Sequence, residues 1–233
     1  MRTRLGAVDE SERRFVSTVA DLDEADLAGA SLCPGWTRGH VIAHVALNAH
    51  SLVNLMIWAR TAEEVPQYVG PEERDADIEM FSSRTKAEHL EALAEAAGAF
   101  QDAARSVPLD RWEFPVRGIG GNFQPVSNYL HGRINEVEIH NVDLALGYDS
   151  DDWPEEFIVR LLRHVPERLG AGVAEPFAVE AEDLSLRLSV GEGEPVCRVW
   201  GPAHALLKWC LGRSDGAGLS CERDELPAVP SWG

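Results

Sequence analysis

The spacing of apolar residues changes from helical to alternating about two thirds of the way along this 233-residue chain, and that change constrains the fold most. Before it, four segments are expected as helices, at about 6–29, 38–62, 83–106 and 127–147; the first and third have apolar residues at helical spacing, and the second has a dense apolar series. After a helix at about 155–169 come three short alternating segments, expected as strands of an antiparallel sheet, at about 176–179, 184–190 and 195–200, and a helix near 203–211. This order predicts an α+β fold, with a four-helix bundle over residues 1–150 and a smaller α+β domain over 151–233.

Proline, glycine and polar residues mark the ends of these elements. Pro34 and Gly35 break the chain before the second helix, and Thr37 is placed to cap that helix. A polar, proline-containing loop is expected between the second and third helices. Between Trp112 and Val126, a glycine-rich run predicts a hairpin or an extended loop.

Charge and composition exclude several classes of partner. The formal net charge of −18 argues against nucleic acid and against anionic membranes, which both need a basic surface. No continuous apolar run approaches the length that spans a bilayer, and the first residues lack the apolar core of a signal peptide. We therefore expect a cytoplasmic protein. The cysteines show no metal-type spacing and are expected to be buried, inert thiols: Cys33, Cys197, Cys210 and Cys221.

A candidate metal site begins on the fourth helix. Glu136 and His140 are four residues apart and so share one helical face, where both can bind one divalent ion. The second helix can supply a third ligand from His40 or His44, which are also four residues apart. Spacing does not choose between them, although His44 has the more apolar neighbours. Two histidines and one glutamate leave a fourth tetrahedral position open, as in catalytic zinc sites.

Polar neighbours extend this candidate site. Arg133 is expected to steady Glu136, and Asp143 is expected to accept the second N–H of His140 and fix its tautomer. Asn48 continues the face of the second helix by one turn. The alternative for the charged neighbours is a set of solvated ion pairs that contribute little.

Several motifs in order along the chain resemble one family. Residues 33–48, Cys-Pro-Gly-Trp-Thr-Arg-Gly-His-Val-Ile-Ala-His-Val-Ala-Leu-Asn, resemble the metal-binding half of the mycothiol-dependent maleylpyruvate isomerases. That family belongs to the DinB-like bundle superfamily. The resemblance continues through Glu136-x-x-x-His140-x-x-Asp-Leu144 and resumes at Gly212-Arg-Ser-Asp-Gly216. It therefore covers nearly the whole chain.

The resemblance implies a set of site residues. It implies Zn²⁺ held by His44, Glu136 and His140, and mycothiol as the thiol cosubstrate. Arg213 matches a C-terminal arginine that reaches the active site in this family, which implies a catalytic role. Asn48 and Arg133 are assigned to cofactor binding.

The chain also departs from the family pattern, and this affects the substrate. Asn135 and Glu138 stand where the family commonly has an arginine and a tryptophan. The expected partners are a small thiol and a small carboxylic acid. The expected activity is cis–trans isomerisation of maleylpyruvate or a similar acid. The alternatives are a mycothiol S-transferase, a zinc hydrolase and a non-enzymatic small-molecule binding protein.

Overall fold

In this computed structural model, residues 2–119 and 121–230 are described. The chain forms two compact units, Met1–Tyr148 and Asp149–Gly233. The first is mainly helical and the second combines helices with a sheet, so the predicted α+β class is confirmed.

Within the described residues, the first unit contains five α-helices and one short hairpin. Its helices are α1 (Arg2–Asp21), α2 (Arg38–Thr61), α3 (Pro71–Ser82), α4 (Lys86–Ser106) and α5 (Asn128–Asp143). The hairpin strands are β1 (Pro115–Arg117) and β2 (Phe123–Pro125), which pair antiparallel. The predicted hairpin is therefore present, although Gly120 in its glycine-rich turn lies outside the described residues.

The start of α2 agrees with the predicted capping residue, whereas the end of α1 differs from the prediction. The Thr37 side chain accepts a hydrogen bond from the backbone N–H of His40, as predicted for the start of α2. The first helix was expected to reach about residue 29. It ends at Asp21, and a short 3-10 helix, Glu24–Ala28, follows.

The helix α3 replaces a segment that was predicted as a polar loop. Pro71 occupies its first turn with Glu72 and Glu73, which is a favourable helix start because proline needs no N–H partner there and acids complement the helix dipole. The surface of α3 is so polar that its apolar period is weak, and Ile78 is its buried residue. That weak period explains the wrong prediction.

Helices α1, α2, α4 and α5 pack on one another around a shared apolar core, and α3 packs on α2. The core includes Phe15 and Val19 of α1, Ile42 of α2 and Val137 of α5. Gly39 allows one close approach, because a Cβ at this position would stand 2.2 Å from the carbonyl oxygen of Ser82. This contact fixes the end of α3 against the beginning of α2.

Within the described residues, the second unit is built around a four-stranded sheet. Its helices are α6 (Glu155–Leu162), α7 (Val165–Leu169) and α8 (Ala203–Cys210), and its strands are β3 (Phe177–Ala181), β4 (Leu186–Val190), β5 (Arg198–Gly201) and β6 (Ser220–Cys221). The strand order is β4-β3-β5-β6. The expected antiparallel sheet is wrong in one respect, since β5 runs parallel to β3. The helix expected over 155–169 is divided in two, with Pro166 in the first turn of α7.

Within the described residues, α2 is long and apolar enough to cross a membrane by length and composition, with a mean hydropathy of 1.4 over 18 residues. The expectation about continuous apolar runs still holds for α2, because polar residues such as His44, Asn48 and His50 interrupt its apolar series. In addition, 72% of that window is buried inside the protein. This is the behaviour of the central helix of a soluble bundle, whose partners are other helices.

Candidate metal site

Two histidines and a glutamate come together between α2 and α5. His44 places its Nε2 atom 2.9 Å from Oε2 of Glu136. His140 lies one turn after Glu136 on α5, and its Nε2 atom is 3.5 Å from the same oxygen. One candidate ligand atom from each residue lies within 4.8 Å of the other two. The three residues expected from the sequence are thus neighbours in the fold.

His40, the rival on α2, is directed elsewhere. Its Nδ1 atom lies 2.7 Å from Oγ1 of Thr37. Its Nε2 atom lies 3.0 Å from a carboxylate oxygen of Glu79 in α3. His40 therefore pairs with the start of α2 and with α3, and His44 is the histidine beside Glu136.

A carboxylate forms a hydrogen bond with the nitrogen of the His140 ring that faces away from Glu136. The Nδ1 atom of His140 lies 2.9 Å from Oδ2 of Asp143, as predicted, and Asp143 is completely buried. The thiol of Cys33 donates to the same oxygen at 3.2 Å. Because Nδ1–H of His140 donates to Asp143, Nε2 is the ring nitrogen that faces Glu136.

The environment of the cluster changes the proton affinity of each member. Burial lowers the pKa of His44 by more than its hydrogen bond with Glu136 raises it. Burial would raise the pKa of Glu136, but hydrogen bonds from His140 and His44 hold it well below its ordinary value. Burial would lower the pKa of His140, but hydrogen bonds with Asp143, Cys33 and Glu136 hold it well above its ordinary value. Glu136 is therefore ionised at neutral pH, and a metal ion bound to His140 would have to displace a proton.

The cluster is suited to a divalent ion such as zinc. Ligand atoms held tetrahedrally at about 2.0–2.1 Å from zinc stand about 3.4 Å from each other, and the distances of 2.9 and 3.5 Å are close to that value. The His44 side chain is 7% exposed and that of Glu136 is 36% exposed. The cluster is therefore supported from the interior and reachable from one side, which is the arrangement of an open catalytic site.

Arg133 does not contact Glu136, and the expected pairing is wrong. Its Nε atom donates to Oε1 of Glu12 at 2.9 Å, and Nη1 donates to the carbonyl of Val45 at 2.8 Å and to Oδ1 of Asn48 at 3.1 Å. The side chain is 2% exposed. The residue faces the bundle interior because α1 supplies a buried carboxylate 121 residues away in sequence, which no local pattern reveals.

Glu138, which stands where the family commonly has a tryptophan, has a structural role in this chain. It is completely buried, and its carboxylate accepts from Ser11 at 2.5 Å and also from Arg14 and Tyr148. Arg14 and Ser11 lie on α1, so this acid joins α5 to α1. Its neighbour Asn135 is half-buried.

Arg213 lies in the second unit, just after α8. Its Nη1 atom donates to the carbonyl of Leu211 at 2.8 Å. The catalytic role that the resemblance implies for this arginine stays a prediction.

Three residues near the cluster were not singled out from the sequence. The Trp36 ring lies beside His44 in a tilted arrangement, with ring centroids 5.5 Å apart. Arg74 of α3 places Nη2 3.3 Å from Nδ1 of His44. Tyr68 interacts with Arg74 and with Glu136. Because the segment of α3 is predicted as a loop, the sequence does not predict which way Arg74 points. The sequence feature that could have identified Arg74 is that it is the single basic residue in this acidic helix.

The chain contains a helical bundle with two histidines and a carboxylate on facing helices, an arrangement in which bundle proteins can hold a metal ion. Comparison with known proteins narrows this class. Residues 8–145 match the family model for the mycothiol maleylpyruvate isomerase N-terminal domain. The chain belongs to the mycothiol maleylpyruvate isomerase family, so the family expected from the motifs is confirmed.

Two solved structures agree with this assignment. One is the crystal structure of the mycothiol-dependent maleylpyruvate isomerase, which is 31% identical to this chain. The other is the crystal structure of a variant of that enzyme with a histidine replaced by alanine, at 30% identity. Each comparison covers 99% of this chain and 96% of the solved chain, with a TM-score of 0.93. No curated protein gives a significant match.

Proposed function

We propose that this protein is a cytoplasmic, zinc- and mycothiol-dependent cis–trans isomerase. Its proposed substrate is maleylpyruvate or a similar cis-enoyl acid, and its product is the corresponding fumaryl isomer. The observation that carries this proposal is the accessible cluster of His44, Glu136 and His140 in a chain of this family. The solved relative's description as a mycothiol-dependent maleylpyruvate isomerase supports the same substrate and cosubstrate.

The proposed zinc ligands are His44, Glu136 and His140. When bound, zinc would supply Lewis acidity that favours the thiolate form of the cosubstrate at neutral pH. Asp143 supports this arrangement because it accepts a hydrogen bond from Nδ1–H of His140, which leaves Nε2 as the nitrogen that can ligate. The low pKa of Glu136 keeps that ligand ionised.

The proposed reaction is reversible addition of the thiolate. The sulfur forms a bond to one carbon of the cis double bond. The π electron pair of this double bond moves toward the adjacent carbonyl, which becomes an enolate. Rotation about the resulting single bond is then free. Collapse of the enolate expels the thiolate and leaves the trans double bond, so the thiol is not consumed. The protein needs no nucleophile of its own in this scheme.

The remaining assigned residues have supporting roles in this proposal. Arg213 would stabilise the negative charge that grows on the substrate during addition. Asn48 would help to shape the thiol site, one turn beyond His44 on α2. Arg133 would act indirectly, because its hydrogen bond at 3.1 Å orients the Asn48 amide.

Product analysis with mycothiol and maleylpyruvate tests this function. We expect fumarylpyruvate to accumulate while the free thiol concentration stays constant. A stoichiometric thiol adduct would instead identify an S-transferase. Turnover that continues without any thiol would identify a zinc hydrolase, and the absence of all turnover and of bound metal would favour a binding protein.

Two variants separate metal binding from catalysis. Glu136→Ala removes the anionic ligand, so we expect it to lose bound zinc and activity together, as measured by elemental analysis and product formation. Arg213→Ala should keep the zinc and lose turnover. Full activity in Arg213→Ala would show that its assignment is wrong.

A further inference from the structure

An arginine from α3 lies against the proposed metal ligands. The Nη2 atom of Arg74 is 3.3 Å from Nδ1 of His44, and its other branch, Nη1, is 2.6 Å from Oδ1 of Asp75. Arg74 is half-buried, with 23% of its side chain exposed. It therefore presents a cation at the cluster while remaining reachable from solvent.

The charge of Arg74 contrasts with its surroundings. Its helix α3 has five acidic residues and no other basic residue. The ion pair with Asp75 is a weak restraint, because Asp75 is 67% exposed and such pairs are largely screened by water. In a protein of net charge −18, an anionic substrate is repelled overall, so a local cation at the site has a large effect on its binding.

The hydrogen bond to His44 also shows that an N–H group of Arg74 is directed at the cluster, where it can donate to an acceptor. Arginine only donates, so Nδ1 of His44 accepts in this arrangement. When Nε2 of a neutral histidine ligates a metal, its proton resides on Nδ1, which then cannot accept. The Nη2 donor of Arg74 is then available to another acceptor at the same place.

Tyr68 adds a second polar group beside Arg74. Burial raises the pKa of its phenol by more than Ser51 and Arg74 lower it. The phenol is therefore protonated at neutral pH.

We propose that Arg74 binds a carboxylate of the electrophilic substrate beside His44 and Glu136. The planar guanidinium can hold a carboxylate with two parallel hydrogen bonds, which a lysine cannot reproduce. This inference rests on the proposed function for the identity of the substrate. It adds the residue that selects acids over neutral molecules of the same shape.

Arg74→Met tests this role, with Arg74→Lys as the conservative variant. Arg60→Met, an exposed arginine in the last turn of α2, is the matched control. Zinc content and thermal melting are measured first for all variants. We expect Arg74→Met to raise the KM for maleylpyruvate about tenfold to a hundredfold, since a charged hydrogen bond is lost, while the KM for mycothiol and the zinc content stay unchanged. Arg74→Lys should recover part of the loss, and Arg60→Met should resemble the original protein.

A binding measurement gives a second result that does not depend on turnover. Phthalate is a rigid cis-dicarboxylate without an electrophilic double bond, and calorimetry can compare it with its neutral dimethyl ester on the zinc-loaded protein. We expect the original protein to prefer phthalate and Arg74→Met to lose that preference. Absence of the preference in the original protein, or its survival in Arg74→Met, would overturn the proposal. A raised KM for mycothiol alone would assign Arg74 to the thiol, and loss of zinc would assign it to the support of His44.

Failure of the isomerase proposal remains distinguishable from failure of this one. If the original protein does not isomerise maleylpyruvate, the proposed function is rejected. The phthalate comparison still decides whether Arg74 binds a carboxylate.

Discussion

Cys33 and Cys210 have the same side chain, but the fold places them in different environments. Cys210 is completely buried in α8, and burial raises the pKa of its thiol to about 12. Cys33 is only partly buried and donates its S–H to Asp143 beside the metal-ligand cluster. The expectation of buried thiols is confirmed for Cys197 and Cys210 and is wrong for Cys33 and Cys221.

These environments predict selective alkylation by iodoacetamide at about pH 8. The thiolate is the reactive form, so a thiol that is buried and has a raised pKa reacts slowly. We expect Cys33 and Cys221 to be modified in the folded protein, and Cys197 and Cys210 to be modified only after denaturation. Peptide mass spectrometry gives the modified fraction at each position. Rapid labelling of Cys210 in the folded protein would contradict the burial described here.

The buried pair of Arg133 and Glu12 predicts strongly non-additive mutational effects. Arg133→Met leaves the Glu12 carboxylate buried without its cation, so we expect a loss of about 3–5 kcal/mol in the free energy of unfolding. The double variant Arg133→Met with Glu12→Leu removes both charges and should be less destabilised than the sum of the single variants. Urea unfolding measures all three. Additive losses would show that the two residues do not interact.

At the scale of elements, close packing decides where α3 lies, and α3 carries Arg74. Gly39 near the start of α2 touches the backbone at the end of α3, and only a hydrogen fits between them. Other glycines on helices have no such neighbour, including Gly98 in α4. The same residue type is thus a packing requirement in one helix and a weak point in another.

Two glycine-to-alanine substitutions should therefore have opposite effects on stability. Gly39→Ala places a Cβ 2.2 Å from the Ser82 carbonyl oxygen, so α3 must shift, and we expect destabilisation of about 1–3 kcal/mol. Gly98→Ala meets nothing within 4 Å and should stabilise the protein by up to about 1 kcal/mol, because alanine has the higher helix propensity. Urea unfolding compares both with the original protein. Equal effects of the two changes would refute the packing argument.

At the scale of the whole molecule, charge is the dominant feature. There are 39 acidic and 21 basic residues, which gives a net charge of −18. Repulsion among like charges destabilises a compact state, and salt screens this repulsion. Helix pairs and buried ion pairs hold the first unit together against it.

Added salt should therefore raise the melting temperature. We expect the Tm to increase between about 0.01 and 0.15 M NaCl, where the screening length falls from about 30 Å to about 8 Å. Tetramethylammonium chloride is the matched control, because it screens charge without the same tendency of Na⁺ to bind carboxylates. A Tm that falls with both salts would show that local ion pairs outweigh the overall repulsion.

Features that depend on near neighbours in sequence could be predicted. The positions of α4 and α5 follow from their apolar period, and that of α2 follows from its dense apolar series and from its capping residue Thr37. Glu136 and His140 share a face because both lie on one helix, which local geometry guarantees. The family motifs were recognisable for the same reason, since each is a short contiguous segment.

The tertiary structure alone decided what depends on distant residues. Two histidines on α2 satisfy the same spacing, and only the facing residues, Glu136 beside His44 and Glu79 beside His40, distinguish them. Arg74 reaches the cluster because α3 packs on α2, a placement that no pattern in its own segment encodes. Local sequence thus determined the helices and the ligand pair on α5. Long-range packing, which brings together side chains that are far apart in the chain, determined the complete site.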